Sequence, residues 1–249
     1  MAPYRVDDTH RARSHASRVQ HIVLHYTAGD TASAMKQLTE GEVSAHYLVT
    51  DDDPPIVYRL VDEARAAHHA GVSEWQGRTA LNASSIGIEI VNRARDDDGA
   101  RHFEPYPARQ IDAVIALVRD LVRRHGVAPD RVVGHSDIAP QRKHDPGPLF
   151  PWHRLAAAGL VRWPDSGEVA RARERLGAIV PPLAWWRERL ARVGFAVPPR
   201  VADDALDEPT RRVIAAFQMK YRPARYDGAP DLETAALLDA LAPTAAISR

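Results

Sequence analysis

An α/β domain followed by a small helical module is the fold this sequence predicts, and three observations predict it. Short apolar runs, Ile22-Val23-Leu24 and Ile86-Gly87-Ile88-Glu89-Ile90, alternate with helical stretches through the first 163 residues. The longest of those stretches carries Ile111, Val114, Ile115, Val118, Leu121 and Val122 at helical spacing. After Trp163 the strand pattern stops, and three helical segments follow two proline-marked breaks.

Taken in order, residues 19–26 read as a strand that ends near His25. Alternate strand residues share a face, so Val23 and His25 point the same way. Residues 32–38 predict a short helix, and residues 45–50 and 56–60 two strands separated by the turn signal Asp51-Asp52-Asp53-Pro54-Pro55. The run 84–92 is a further strand, with Gly87, Glu89 and Val91 on one face and Ile86, Ile88 and Ile90 on the other. Asp96-Asp97-Asp98-Gly99 reads as a polar turn, and residues 107–125 as a helix stopped by Gly126. A short strand at 131–133 then delivers His135. The expected division is a catalytic domain over 1–165, a linker over 166–180 and a three-helix domain over 181–245. Its helices are placed at 183–193, 208–221 and 232–241. Asp207 and Asp231 stand where a side chain can cap the exposed amides of the last two.

Composition narrows the function. Hydrophobic residues make up 45% of 249, enough for a packed core. Thirty-three basic residues balance 33 acidic ones, which argues against a general nucleic-acid binder. The chain has no cysteine, so disulfides and thiolate metal ligands are excluded, and no acylated lipoprotein anchor is expected. No window approaches the ~18 apolar residues of a membrane span, and residues 1–8 show no apolar signal core. Lysine occurs only at Lys36, Lys143 and Lys220 in a chain that otherwise uses arginine.

The chemistry concentrates in two stretches. The run from Gly134 to Gly147 puts His135, Lys143 and Asp145 in one loop, with Pro140, Pro146 and Gly147 to fix its backbone. Leu24-His25-Tyr26-Thr27-Ala28 adds a second imidazole. Among 12 histidines most are ordinary core or surface residues. Two imidazoles and a carboxylate, however, make a three-ligand set that leaves a fourth zinc position for water. Glu89, a carboxylate on an apolar strand, must face a cleft or a partner; beside zinc it can move a proton. The Lys143 ammonium can stabilise an oxyanion. His69 can line a cleft, Asn82, Arg78 and Tyr47 are weaker candidates for contact with substrate, and His46 reads as a structural histidine.

These residues resemble the zinc-dependent N-acetylmuramoyl-L-alanine amidases of the AmpD/AmiD group, related in fold to peptidoglycan recognition proteins. The resemblance spans residues 18–163 and rests on the stretches 24–28, 85–92 and 134–147, with 44–49 and 69–73 adding to it. It implies a central mixed β-sheet flanked by helices. It implies one zinc per chain on His25, His135 and Asp145, Glu89 and Lys143 as the catalytic pair, and His69, Asn82 and Tyr47 at the substrate. Ala45 stands where phage-type relatives carry a catalytic tyrosine, and His68 replaces an expected tryptophan. The tail, through Ala215-Ala216-Phe217-Gln218 and Tyr226-Asp227-Gly228, resembles a three-helix peptidoglycan-binding domain.

The resemblance implies hydrolysis of the amide between N-acetylmuramic acid, or its 1,6-anhydro form, and L-alanine. The partner is then peptidoglycan or a muropeptide, with no nucleic acid and no membrane span. A wall-binding tail fits the periplasm, the cell envelope or export, although no signal peptide is visible. A cytoplasmic enzyme that trims recycled anhydro-muropeptides is the alternative. A recognition protein that binds without cutting is the alternative of another class.

Overall fold

The chain in order forms β1 (His21–Tyr26), α1 (Thr31–Glu40), β2 (Tyr47–Val49), β3 (Val57–Arg59), β4 (Glu74–Trp75), β5 (Arg78–Thr79) and β6 (Ser85–Ile90). There follow β7 (Arg95–Asp97), β8 (Ala100–His102), α2 (Ala108–His125), β9 (Val132–Gly134), α3 (His135–Ile138) and α4 (Trp152–Ala157). The chain closes with α5 (Ser166–Leu176), α6 (Leu183–Val193), α7 (Glu208–Tyr221) and α8 (Leu232–Leu241). This is a computed structural model, and it describes residues 17–97, 100–199 and 205–242 with a few isolated positions between 7 and 14. Residues 98 and 99 of the expected polar turn, and 1–6 and 8 of the segment read as lacking a signal core, lie outside the described residues.

Five strands form a mixed sheet in the order β3-β2-β6-β1-β9. β1 runs parallel to β6 and β9, β6 runs parallel to β2, and only β2 and β3 are antiparallel. The period-two alternation read from the sequence sets the two faces. Ile22, Leu24, Ile86, Ile88 and Ile90 meet Ile111, Val114, Val118 and Leu121 of α2 in one apolar cluster. Val23 and Val133 point the other way, into a second cluster with Trp75, Ile138, Trp186 and Phe217. That second cluster joins the sheet to α6 and α7, so the helical module shares a core with the α/β part.

The stretch 166–180, expected as a linker, contains a helix. Asp165 caps it through the Glu168 amide at 3.0 Å, and Gly177, with φ of 63°, ends it. Only Ala172 of α5 is buried, so the segment has too little apolar periodicity to announce itself. It is tied to α8 by Arg175, which pairs with Asp239 at 2.7 Å. The later helices start as read: Asp207 and Asp231 accept from the amides of Thr210 and Thr234 at 2.7 and 2.8 Å. The β4-β5 hairpin was not anticipated. Its two-residue turn, Gln76-Gly77, has φ of 51° and 73°, the left-handed pair that twisted hairpins favour.

Candidate metal centre and catalytic cleft

Three parallel strands bring their C-terminal ends to one edge of the sheet, and each delivers a polar residue there. β1 carries His25 near its end, β6 carries Glu89 in register beside it, and β9 runs directly into His135. Ligand sites favour this edge in α/β sheets. The loop after α3 returns to the same place with Lys143 and Asp145. His25, Glu89, His135, Lys143 and Asp145 line a single cleft of about 420 Å³.

The donor atoms converge tightly. His25 Nδ1 lies 3.0 Å from His135 Nδ1 and 2.9 Å from Asp145 Oδ2, and His135 Nδ1 lies 3.0 Å from the same oxygen. All three residues are buried. Four-coordinate zinc with ligands at 2.0–2.1 Å spaces them about 3.3 Å apart, so this triangle is close to the face such an ion needs. The protonation states suit it. Burial and the neighbouring His135 lower His25 to about 4, which keeps its imidazole neutral. Burial would raise the Asp145 carboxyl, but His135 and His25 outweigh it and hold it well below the usual carboxylate range.

Each imidazole is also held from behind. With His25 Nδ1 turned to the triangle, its Nε2–H donates to His69 Nδ1 at 3.0 Å. His69 Nε2–H then donates to Ser85 Oγ at 3.1 Å, and Ser85 donates to the Leu81 carbonyl at 2.6 Å. Burial, with His25 and His46 nearby, lowers His69 well below its usual value, so its ring is neutral. His135 Nε2–H donates to the Ala70 carbonyl at 3.2 Å. Such partners fix the tautomer and aim of a metal ligand. Gly87 is required for the arrangement, since a Cβ there would come within 2.4 Å of the His69 ring.

Glu89 faces the cleft with its Oε2 shielded from solvent and without a hydrogen-bond partner among the described residues. Burial first, then the Asp145 charge, push its carboxyl well above the ordinary range, and Lys143 partly opposes them. A buried carboxylate oxygen without a partner is costly unless a cation or water meets it.

The other expected contacts are placed differently. Asn82 does not line the cleft: its Oδ1 accepts from the His69 and Ala70 amides at 3.1 and 2.7 Å and so holds the loop behind the site. Tyr47 also points elsewhere, its hydroxyl donating to Glu63, which binds Arg124 and His125. His69 lines the cleft but is itself buried and engaged with His25. His46 is structural: its Nδ1 accepts from the Gly87 amide at 3.0 Å. Sequence reasoning missed Ser85, whose role depends on a loop 16 residues away. It also missed Tyr106, whose hydroxyl donates to the Pro146 carbonyl at 2.8 Å and steadies the residue after Asp145.

Two imidazoles and a carboxylate, open on one side and faced by a raised carboxyl, are what amide hydrolysis by an activated water asks of a protein. The class so defined is the mononuclear metal hydrolases. Comparison with known proteins narrows it. A family described as N-acetylmuramoyl-L-alanine amidase matches residues 15–148, and a peptidoglycan binding domain family matches residues 181–238. The N-acetylmuramoyl-L-alanine amidase AmiD of Escherichia coli is 43% identical over 245 residues, covering 96% of this chain and 87% of AmiD. The 1,6-anhydro-N-acetylmuramyl-L-alanine amidase AmpD of Enterobacter cloacae is 39% identical over 115 residues, 46% of this chain and 56% of AmpD. Among solved structures, AmiD from E. coli in complex with anhydro-N-acetylmuramic acid-L-Ala-D-gamma-Glu-L-Lys superposes with a TM-score of 0.86 at 42% identity, covering 96% of this chain and 94% of that one. AmpDh3 from Pseudomonas aeruginosa gives 0.88 at 42% identity, covering 97% and 98%. The chain belongs to the N-acetylmuramoyl-L-alanine amidase family.

Proposed function

We propose that this chain is a zinc amidase that cleaves between the lactyl group of N-acetylmuramic acid, including its 1,6-anhydro form, and the L-alanine of the stem peptide. The observation that carries the reading is the convergence of His25, His135 and Asp145 within 3.0 Å, with Glu89 beside them on the adjacent strand. The substrate bound in the AmiD complex supports the choice of an anhydro-muramyl-peptide.

His25, His135 and Asp145 would hold one zinc. When bound, zinc supplies a Lewis acid that acidifies water and polarises a carbonyl. Glu89 takes the proton of the attacking water and returns it to the departing amine of L-alanine, a role suited to a carboxyl whose pKa is raised. Lys143, which lines the same cleft, offers its ammonium to the oxyanion that forms on the scissile carbonyl. His69 and Ser85 keep the His25 ring in place.

The helical region over 181–245 is proposed to bind the wall and raise the local substrate concentration. Action in the periplasm or envelope follows from that; no helix of the described residues is long and apolar enough to cross a membrane. Fractionation of an untagged strain tests the location, and strictly cytosolic protein would favour muropeptide recycling.

The decisive experiment is mass spectrometry of sacculi and of purified anhydro-muropeptides after incubation with the enzyme, with chelator and then with added zinc. Free stem peptides beginning at L-alanine, lost on chelation and regained with zinc, are the expected result. Intact substrates in every condition, with protein sedimenting on sacculi, would leave a binding protein instead.

A further inference from the structure

We infer that Lys220, on the helical module, is a positioning residue for the metal centre, acting through Asp137 on the turn that carries His135. The inference rests on the zinc amidase reading and concerns how this chain keeps its donor atoms in place.

The Lys220 ammonium lies 2.7 Å from Asp137 Oδ2, and the two side chains are 5% and 1% exposed. It also sits 4.3 Å from the centre of the Trp152 ring. A lysine so far from water persists only with such partners, and apolar residues would fill the space at less desolvation cost. The same Asp137 oxygen accepts from the Gly134 amide at 2.8 Å, which closes the turn around His135. One residue on, the Ser136 amide donates to the Asp145 carbonyl at 2.8 Å. The turn therefore sets where two of the three donors stand relative to each other. It has little slack: a Cβ on Gly134 would come within 2.7 Å of Pro146 and 3.2 Å of the Trp152 ring.

The start of α7 grips the same loop a second time. Gln141 donates to the Pro209 carbonyl at 2.9 Å, and Arg212 donates to the Gln141 carbonyl at 2.8 Å. Removing the Lys220 cation would leave a buried carboxylate whose Oδ1 already lacks a hydrogen-bond partner among the described residues. That carboxylate would turn toward water and release the Gly134 amide.

The test uses the full chain, with zinc affinity read by chelator competition and thermal unfolding followed in parallel. Lys220→Met is expected to weaken zinc binding about tenfold or more, the scale seen for outer-shell partners. The double variant Lys220→Met/Asp137→Leu removes both buried charges. It is expected to regain thermal stability yet still bind zinc weakly, because the Gly134 amide stays uncapped. Wild-type zinc affinity in either folded variant overturns the inference. Failure of both variants to fold would make the pair a stability element alone and overturn it too. A wild-type chain that binds no zinc would instead count against the amidase reading.

Discussion

Glu89 combines a half-buried place in the cleft, the neighbouring Asp145 charge and a shielded oxygen without a hydrogen-bond partner among the described residues. Glu89→Gln keeps the shape and removes the proton carrier. The variant is expected to hold zinc as the wild type does while turnover falls about 10²–10⁴-fold. Metal analysis together with steady-state rates checks this, and full turnover would exclude Glu89 from the mechanism. His69 acts one step further back. His69→Ala is expected to weaken zinc affinity about 10–100-fold by freeing the His25 ring. Gly87→Ala should do the same, since its methyl group would displace the His69 ring. Tight zinc in both would deny His69 a positioning role. The candidate metal ligands were legible because His25, His135 and Asp145 lie in short, distinctive stretches. Ser85 and Asn82 were not, because their roles depend on which loop folds back onto them.

At the scale of elements, period and capping carried most of the reading. β1 and β6 alternate as the residues alternate, and α6, α7 and α8 span the predicted limits. The failures are elements with weak periodicity. The strands of the β4-β5 hairpin have two residues each, and α5 buries one side chain. α2 is the element whose apolar face can be tested most directly. Leu121 is fully buried between that helix and the sheet. Leu121→Ala is expected to cost about 2–5 kcal/mol of stability, read from urea unfolding. A cost below 1 kcal/mol would mean that the helix does not pack as described.

For the whole molecule, acid is the informative stress. His21 and His25 are both lowered to about 4, chiefly by burial, while the unfolded chain titrates near the ordinary 6.5. Between those values the unfolded state binds more protons than the folded one. The contribution of these imidazoles is therefore complete above about pH 6.5 and declines as pH falls toward about 4, while the raised Glu89 carboxyl acts in the opposite sense above its ordinary range. For the metal-free chain, the urea midpoint at pH 4.5 should lie clearly below that at pH 7.5. Equal midpoints would mean that the imidazoles do not outweigh the Glu89 carboxyl over this range. The shared core is a second property of the whole: Val23 and Val133 of the sheet meet Trp186 and Phe217 of the helical module in one cluster. Neither stretch of sequence announces that contact, because burial against a distant partner looks the same in sequence as burial within a domain.

The chain of donors behind His25 has a further consequence. With His25 Nδ1 turned to the ligand triangle, every hydrogen from His25 through His69 and Ser85 points the same way, and the last acceptor is the peptide carbonyl of Leu81, which has no proton to hand on. It is a cul-de-sac for protons. The site is thereby insulated at its back, and in the proposed mechanism acid–base traffic is left to the cleft that Glu89 lines.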